Sequence, residues 1–290
     1  VGRFGLISLK GRQAMATLSA VLKSLVPNFF KVLLRNGRVK QITNAYSRRV
    51  VRHSYSGFPL DVTIADPLAE GWYDHDWPAQ PTVDLLRQHR LKAGARVFDI
   101  GAHQAVVAMM LARIVEPGGS VVALEASEHN FEIGQANISL NSIDNLQILH
   151  AAGSDVSGEI EFEQNFNGSV AVANDKFLCK KVKAYCVDDL ATKYGAPQIL
   201  FVDVEGFEVH VLKGAKRLLA ENRPDCDIEV HVGCGLEKFG FTAQDVADCF
   251  SAIDYELFAW VSSVESGVTL VTSEFKFPNE NFHLIAIARR

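Results

Sequence analysis

The 290-residue sequence has no Cys-x-x-Cys pair among its five cysteines, Cys179, Cys186, Cys226, Cys234 and Cys249. An odd, scattered set argues against a disulfide framework and a four-ligand zinc site, so the thiols are expected to be reduced and mostly buried. The sequence also lacks an apolar run of the roughly 18 residues that a membrane-crossing helix needs. Even Val97 to Val122 is interrupted by Asp99, Arg113, Glu116 and several glycines. Repeats and low-complexity tracts are absent, and 48% hydrophobic with 22% charged residues excludes wholesale disorder. A soluble, cytoplasmic protein is therefore the expectation. Acidic residues are missing altogether from residues 1–60, which hold 11 Lys or Arg, so the net charge of −5 divides into +11 there and −16 on residues 61–290. Such a basic stretch could in principle bind nucleic acid or an anionic membrane surface, and it resembles an organelle transit peptide. The plainer reading is a helical arm docked on the acidic remainder of its own chain or of a second copy in a homo-oligomer. Peripheral membrane contact stays open, and no nucleic-acid partner is expected.

What is present has a clear rhythm. Met15 to Leu34 carries apolar residues at helical spacing with Pro27 as a break, and residues 50–65 alternate around Ser56-Gly57 as a β-hairpin would. Residues 1–80 thus read as a basic N-terminal helical and hairpin extension. From 81 to 290, strands and helices alternate: Arg96 to Ile100, Gln104 to Val115, Ser120 to Glu125, Asn130 to Leu140 and Leu146 to Ala151. This predicts a Rossmann-like α/β domain with a mostly parallel sheet. An antiparallel hairpin is inserted at 158–188. The pattern resumes with a strand at Ile199 to Asp203, a helix at Glu208 to Glu221 and a strand at Asp227 to His231. Tyr255 to Trp260 and Phe282 to Ala288 should close the seven-stranded sheet as an antiparallel pair.

The first strand runs out as Asp99-Ile-Gly101-Ala102-His103, where open α/β sheets bind their ligands. Gly101 suits a tight turn and close approach of a ligand. The G-x-G-x-x-G pattern that seats a pyrophosphate is absent, since positions 103 and 106 are His and Val. Asp99 would repel a pyrophosphate but suits the sulfonium and ammonium of S-adenosylmethionine, which disfavours a nicotinamide-dependent oxidoreductase. Glu125 closes the second strand, placed to accept hydrogen bonds from a ribose diol, with Ala126 beside it. Small residues at the third strand's end, Ala152 among them, leave room for a flat ring, with Asp155 or Ser154 near its amino group.

A second group of polar residues ends the later strands. Side chains alternate along a strand, so Asp203 and Glu205 would share a side if the extension persists, and Glu229 and His231 would share another. Methyl transfer to a hydroxyl needs a base, and these four are the catalytic candidates. Hard cations take oxygen ligands, but the spacing is not diagnostic of a metal and none is assigned.

Taken together, the blocks Asp-Ile-Gly-Ala-His (99–103), Leu-Glu-Ala (124–126), Asn-x-x-x-Asn (137–141), Ala-Ala-Gly (151–153), Val-Asp-Asp-Leu (187–190), Val-Asp-Val-Glu-Gly-Phe-Glu (202–208) and Glu-Val-His (229–231) resemble the FkbM-type methyltransferase family. The resemblance implies a class I methyltransferase fold, S-adenosylmethionine as donor, and O-methylation of a sugar or small-molecule hydroxyl. It also implies departures: His103 and Ala105 stand where the family usually has Asn and Gly, Ala126 replaces a Pro, and Phe201 replaces a Lys. Ala105 would narrow the space near the methionine portion. These departures keep a non-catalytic binding scaffold in view as the alternative. Upstream, Gly71 to Trp77 falls at a family Gly-x-Tyr/Trp-Glu position, which implies that Asp74 or Asp76 meets the cofactor's amino group while Tyr73 or Trp77 shields the cleft.

Overall fold

A computed structural model describes residues 41–43, 45–163, 169–170, 179–233, 235–262 and 267–290. The helices expected between residues 15 and 34, and most of the acid-free stretch, lie outside these residues.

Strands β1 (Arg49–Tyr55) and β2 (Phe58–Ile64) form the expected hairpin. Its two turn residues, Ser56 and Gly57, have φ of 52° and 88°, the left-handed pair that matches the twist of a tight hairpin. Helices α1 (Pro67–Tyr73) and α2 (Pro81–His89) follow, each with proline in its first turn, where a missing N–H costs nothing. The alternating region then gives β3 (Arg96–Ile100), α3 (Val106–Val115), β4 (Ser120–Glu125), α4 (Glu128–Leu140) and β5 (Leu146–His150). A side sheet holds β6 (Ala152–Gly153), β7 (Gly158–Glu163), β8 (Ser169–Val170) and β9 (Cys179–Tyr185), the last pairing antiparallel with β7 as the inserted hairpin predicts. After α5 (Val187–Tyr194) come β10 (Ile199–Val202), α6 (Glu208–Lys213), α7 (Lys216–Glu221), β11 (Asp225–Val230), α8 (Ala243–Ala247), β12 (Tyr255–Trp260), β13 (Thr269–Leu270) and β14 (Phe282–Ala288).

The main sheet runs β13-β12-β14-β11-β10-β3-β4-β5. Strands β3, β4, β5, β10 and β11 are parallel, and β14 runs antiparallel to both β11 and β12. This is the seven-stranded class I methyltransferase order with a two-residue edge strand added. Both faces are covered, as the period of two requires. Val97, Val121 and Ile199 enter one core with α3 and hairpin residues Tyr55, Leu60, Val62 and Ile64, while Phe98, Val122, Leu200 and Ile228 enter the other with α6 and α7.

Several sequence blocks acquire structural roles. In the Asn-x-x-x-Asn block, Asn137 Oδ1 accepts from the Thr63 backbone N–H at 2.8 Å and Asn141 Oδ1 from that of Asp61 at 2.9 Å, so α4 clamps the hairpin edge. The single helix expected from Glu208 to Glu221 is two helices. They part at Gly214, where a Cβ would stand 2.1 Å from the Ser154 carbonyl oxygen. Asp188 then accepts from the backbone N–H groups of Arg217 and Leu218 at 3.0 and 2.8 Å, serving the start of α7 from outside. Of the four described cysteines, all free, only Cys226 is fully buried, fewer than expected.

Asp66 ties the lead-in to the main fold. It is fully buried; Oδ1 accepts from the Leu68 and Ala69 backbone N–H groups that begin α1, and Oδ2 contacts Gln104 Nε2 at 2.8 Å and His129 Nε2 at 2.9 Å. Burial raises its pKa, but His129, the Ala69 N–H and Gln104 outweigh that and hold it below the usual carboxylate value. Asp66→Asn keeps one accepting oxygen and turns an amide toward two donors, so a loss of about 1–2 kcal/mol is expected in urea unfolding near neutral pH. Because the folded pKa is depressed, this stabilisation is present above about pH 4 and fades as pH falls through the folded value. A difference between variant and wild type that does not shrink on acidification would contradict the assignment.

Candidate functional site

The carboxyl ends of β3, β4, β10 and β11 open onto a cavity of about 550 Å³. Its lining includes Asp99, Gly101, Ala102, His103, Glu125, Ala126, Ala152, Asp203, Glu205, Glu229 and His231, and so collects most of the residues singled out in the sequence. Six carboxylates line it, with Asp227 as the sixth, and no Lys or Arg does among the described residues.

On the β3–β4 side, Glu125 is held as an acceptor: Oε2 takes the His103 backbone N–H at 2.8 Å and Oε1 that of Ser127 at 2.6 Å. Burial nevertheless dominates and pushes its pKa up to about 8. Asp99 is buried, its Oδ2 has no hydrogen-bond partner, and burial alone lifts it to about 7. A buried carboxylate without a partner is costly, and a cationic ligand group would remove that cost. The residues therefore fit a donor that carries positive charge and a ribose diol, and they do not fit a pyrophosphate.

Gly101 has a role beyond ligand approach. At its φ of 100° a Cβ would lie 1.7 Å from the Asp203 carbonyl oxygen, so this glycine lets the β3 loop close against the end of β10. His103 and Ala105 are also left-handed, at 48° and 65°, conformations that Asn and Gly adopt more readily. Ala105 does not line the cavity, contrary to the expected narrowing. It packs toward α4, where a Cβ on Gly134 would meet the Ala105 Cβ at 3.3 Å.

On the β10–β11 side the four catalytic candidates converge, though not by continued extension. Strand β10 ends at Val202, and a turn with left-handed Glu205 (φ 55°) and Gly206 (φ 101°) brings Asp203 and Glu205 round together. His231, only 3% exposed, directs Nε2 toward Asp203 Oδ1 at 3.6 Å, Glu205 Oε1 at 3.5 Å and Glu229 Oε1 at 3.9 Å. Its Nδ1 pairs at 2.7 Å with Oε1 of buried Glu208, which also accepts the Gly206 backbone N–H at 2.8 Å. Burial opposes charge on His231, but Glu205, Glu208 and Asp203 overcome it and push the pKa up to about 12. Desolvation by the cavity walls, then the charge of Glu229, raises Asp203 above the usual carboxylate range, although its side chain is still about half exposed.

Asp155 and Asp74 are not brought into the cavity. Asp155 takes the Ser154 hydroxyl at 3.0 Å and pairs with His210 at 3.4 Å. Asp74 is claimed by Arg49 and His53 of the hairpin, and Asp76 by the Ser54 N–H and His53. The aromatic residues of that segment do reach the cavity: Trp72, Tyr73 and Trp77 line it, and Tyr73 Oη lies 2.7 Å from His103 Nδ1. Sequence reasoning missed Glu208 as a partner of His231, and it missed Asp227 and His283, which pair at 2.8 Å in the lining. Asp227 was within reach, since it shares a strand face with Glu229, whereas His283 enters through the β11–β14 register that sets it opposite Glu229.

The family model described as the Methyltransferase FkbM domain matches residues 99–257, and that of protein-L-isoaspartate(D-aspartate) O-methyltransferase matches residues 28–159. No curated protein matches the chain. Among solved structures, methyltransferase FkbM from Methylobacillus flagellatus KT is similar over 67% of this chain and 44% of its own, at 15% identity and a TM-score of 0.45. A SAM-dependent O-methyltransferase from Thermotoga maritima is similar over 83% and 78%, at 13% identity and 0.44. A SAM-dependent methyltransferase from Aquifex aeolicus is similar over 76% and 93%, at 14% identity and 0.40. The chain thus spans less than half of the first of these proteins.

Proposed function

The chain belongs to the Methyltransferase FkbM domain family, its methyl donor is S-adenosylmethionine, and from that premise we propose that it methylates a hydroxyl oxygen of a sugar or other neutral polyol. Transfer forms an oxygen–carbon bond, breaks the donor's carbon–sulfur bond with the electron pair left on sulfur, and releases the hydroxyl proton. Asp99 faces the donor's positive charge, Glu125 accepts from its ribose, and Gly101, Ala102, His103, Ala126 and Ala152 shape the wall around it. Asp203, Glu205, Glu229 and His231 surround the acceptor, and the carboxylates take its proton, since His231 already carries one. Positioned bases of this kind contribute about 10² to 10⁴ in rate.

The observation that carries this reading is a cavity lined by six carboxylates against two cationic histidines, His231 and His283, with no Lys or Arg among its described lining residues. That excess of acidic groups disfavours phosphate-bearing acceptors, nucleic acid included. A polyol offers hydroxyls to the carboxylates and a C–H face to Trp72 and Trp77. The same lining opposes a nicotinamide dinucleotide.

S-adenosylhomocysteine should raise the melting temperature, and a nicotinamide dinucleotide should not. Asp99 and Glu125 keep protons in the empty folded protein that the unfolded chain releases near pH 4, so stability without ligand falls as pH rises toward about 8. Ligand that prefers the ionised carboxylates must expel those protons. Affinity should therefore climb between pH 6 and 8, by up to about tenfold per pH unit for each proton released. Calorimetry in two buffers of different ionisation enthalpy measures that release. A dinucleotide shift without an adenosyl-sulfur shift overturns the reading, and adenosyl binding without product across a broad hydroxylated panel favours the inert scaffold.

A further inference from the structure

We propose that Asp203, Glu205 and His231 form a binding site for one divalent cation of the kind that accepts carboxylate oxygens and an imidazole nitrogen together. One donor atom from each of the three lies within 4.8 Å of the other two. The His231 Nδ1 makes a short bond to Glu208 at 2.7 Å, and Nε2 of the same buried ring stands 3.5, 3.6 and 3.9 Å from carboxylate oxygens of Glu205, Asp203 and Glu229. One imidazole nitrogen is thus shared among three carboxylates rather than paired closely with one. Neighbouring ligands around a cation with bonds of about 2.0–2.2 Å lie roughly 3–3.5 Å apart, close to the spacing of Nε2 from Asp203 and Glu205.

The supporting shell matches. Glu208 is fully buried and accepts from Nδ1, which turns Nε2 toward the carboxylates, the arrangement by which a metal-binding histidine is usually fixed; the cation would take the place of the proton that Nε2 otherwise carries. Glu208 is anchored in turn by the Gly206 N–H, in a turn wedged so tightly that a Cβ on Gly206 would meet the Gly235 backbone carbon at 2.2 Å. The donor set of two oxygens and one nitrogen suits manganese, magnesium or zinc better than a soft metal. Placed at the acceptor end of the cavity, the cation would bind the hydroxyl and lower its pKa, with Glu229 alongside to take the proton. This last role rests on the methyl-transfer reading; the site does not.

The test is titration of the chelator-treated 290-residue protein with Mn²⁺, with free Mn²⁺ read by electron paramagnetic resonance. Wild type should bind one ion per chain saturably, and Asp203→Asn, Glu205→Gln and His231→Gln should each weaken it at least tenfold. His231→Gln strands buried Glu208 and can unfold the chain; partly exposed Glu205 keeps the test decisive. No saturable site in wild type, or affinity unchanged in the Asp203 and Glu205 variants, overturns the proposal. The same samples are melted with S-adenosylhomocysteine: a retained shift without Mn²⁺ binding sinks the cation site alone, and a lost shift in wild type sinks the methyl-transfer reading alone.

Discussion

Gly101→Ala should cost the protein about 3–5 kcal/mol and abolish S-adenosylhomocysteine binding, since its added methyl makes the closest approach of any described glycine. The added Cβ would stand 1.7 Å from the Asp203 carbonyl oxygen and 2.7 Å from its carbon, both backbone atoms with no rotamer to change. Retreat is blocked from each side. The Gly101 and Ala102 N–H groups both donate to the Leu124 carbonyl at 2.9 Å, and the Asp203 N–H donates to that of Ile100 at 2.9 Å. Relief therefore means parting the β3 loop from the end of β10, which pulls the donor wall and the acceptor cluster apart together. The left-handed φ adds its own penalty for an L-residue. Gly71→Ala is the control: it lies in α1 with nothing within 4 Å of its Cβ, and should be neutral or gain up to about 1 kcal/mol. Urea midpoints measure both, and a Gly101→Ala variant within about 1 kcal/mol of wild type would refute the close approach.

This glycine also marks how far the sequence was legible. Strands β3 and β4 were readable to the residue because each is a short apolar run bounded by turn residues, with a carboxylate at its last or next-to-last position. That Gly101 faces chain as well as the cavity was not readable, since its partner Asp203 lies about a hundred residues away. Strand alternation paired Asp203 with Glu205 and Glu229 with His231, yet the meeting of the two pairs depends on a left-handed turn at Glu205 that periodicity does not encode. Asp74 and Asp155 illustrate the converse. The family resemblance put Asp74, and its place after the third strand put Asp155, near the cofactor, but each carboxylate pairs with the nearest polar partner, and Arg49 and His210 are supplied by other parts of the fold. His283 needed cross-strand register, which no local pattern contains. The break at Gly214 was hidden because the apolar residues of α6 and α7 keep a helical rhythm across it; the cause is the approach of the Ser154 carbonyl.

Glu125→Gln should weaken S-adenosylhomocysteine roughly 10- to 100-fold and flatten the rise of affinity with pH. The two side chains are nearly the same shape, so the difference is in lone pairs. Glu125 gives one oxygen to the His103 N–H and the other to the Ser127 N–H, and a carboxylate retains acceptor sites for a ribose diol besides. An amide has one oxygen. Its NH₂ must face one of those two backbone donors, leaving a buried N–H unsatisfied at about 1–3 kcal/mol and displacing the loop that bears His103. Glutamine is thus a poor mimic even of protonated Glu125, whose hydroxyl oxygen can still accept. It also carries no proton to release, so the portion of the pH dependence that belongs to a carboxyl at about 8 disappears, while any portion due to Asp99 at about 7 remains. Glu128→Gln, on an exposed residue bridged to Lys180, should leave both affinity and pH profile unchanged. If Glu125→Gln bound the ligand as wild type does, with the same slope against pH, Glu125 would have no part in the donor site and the buried proton would have to be sought on Asp99.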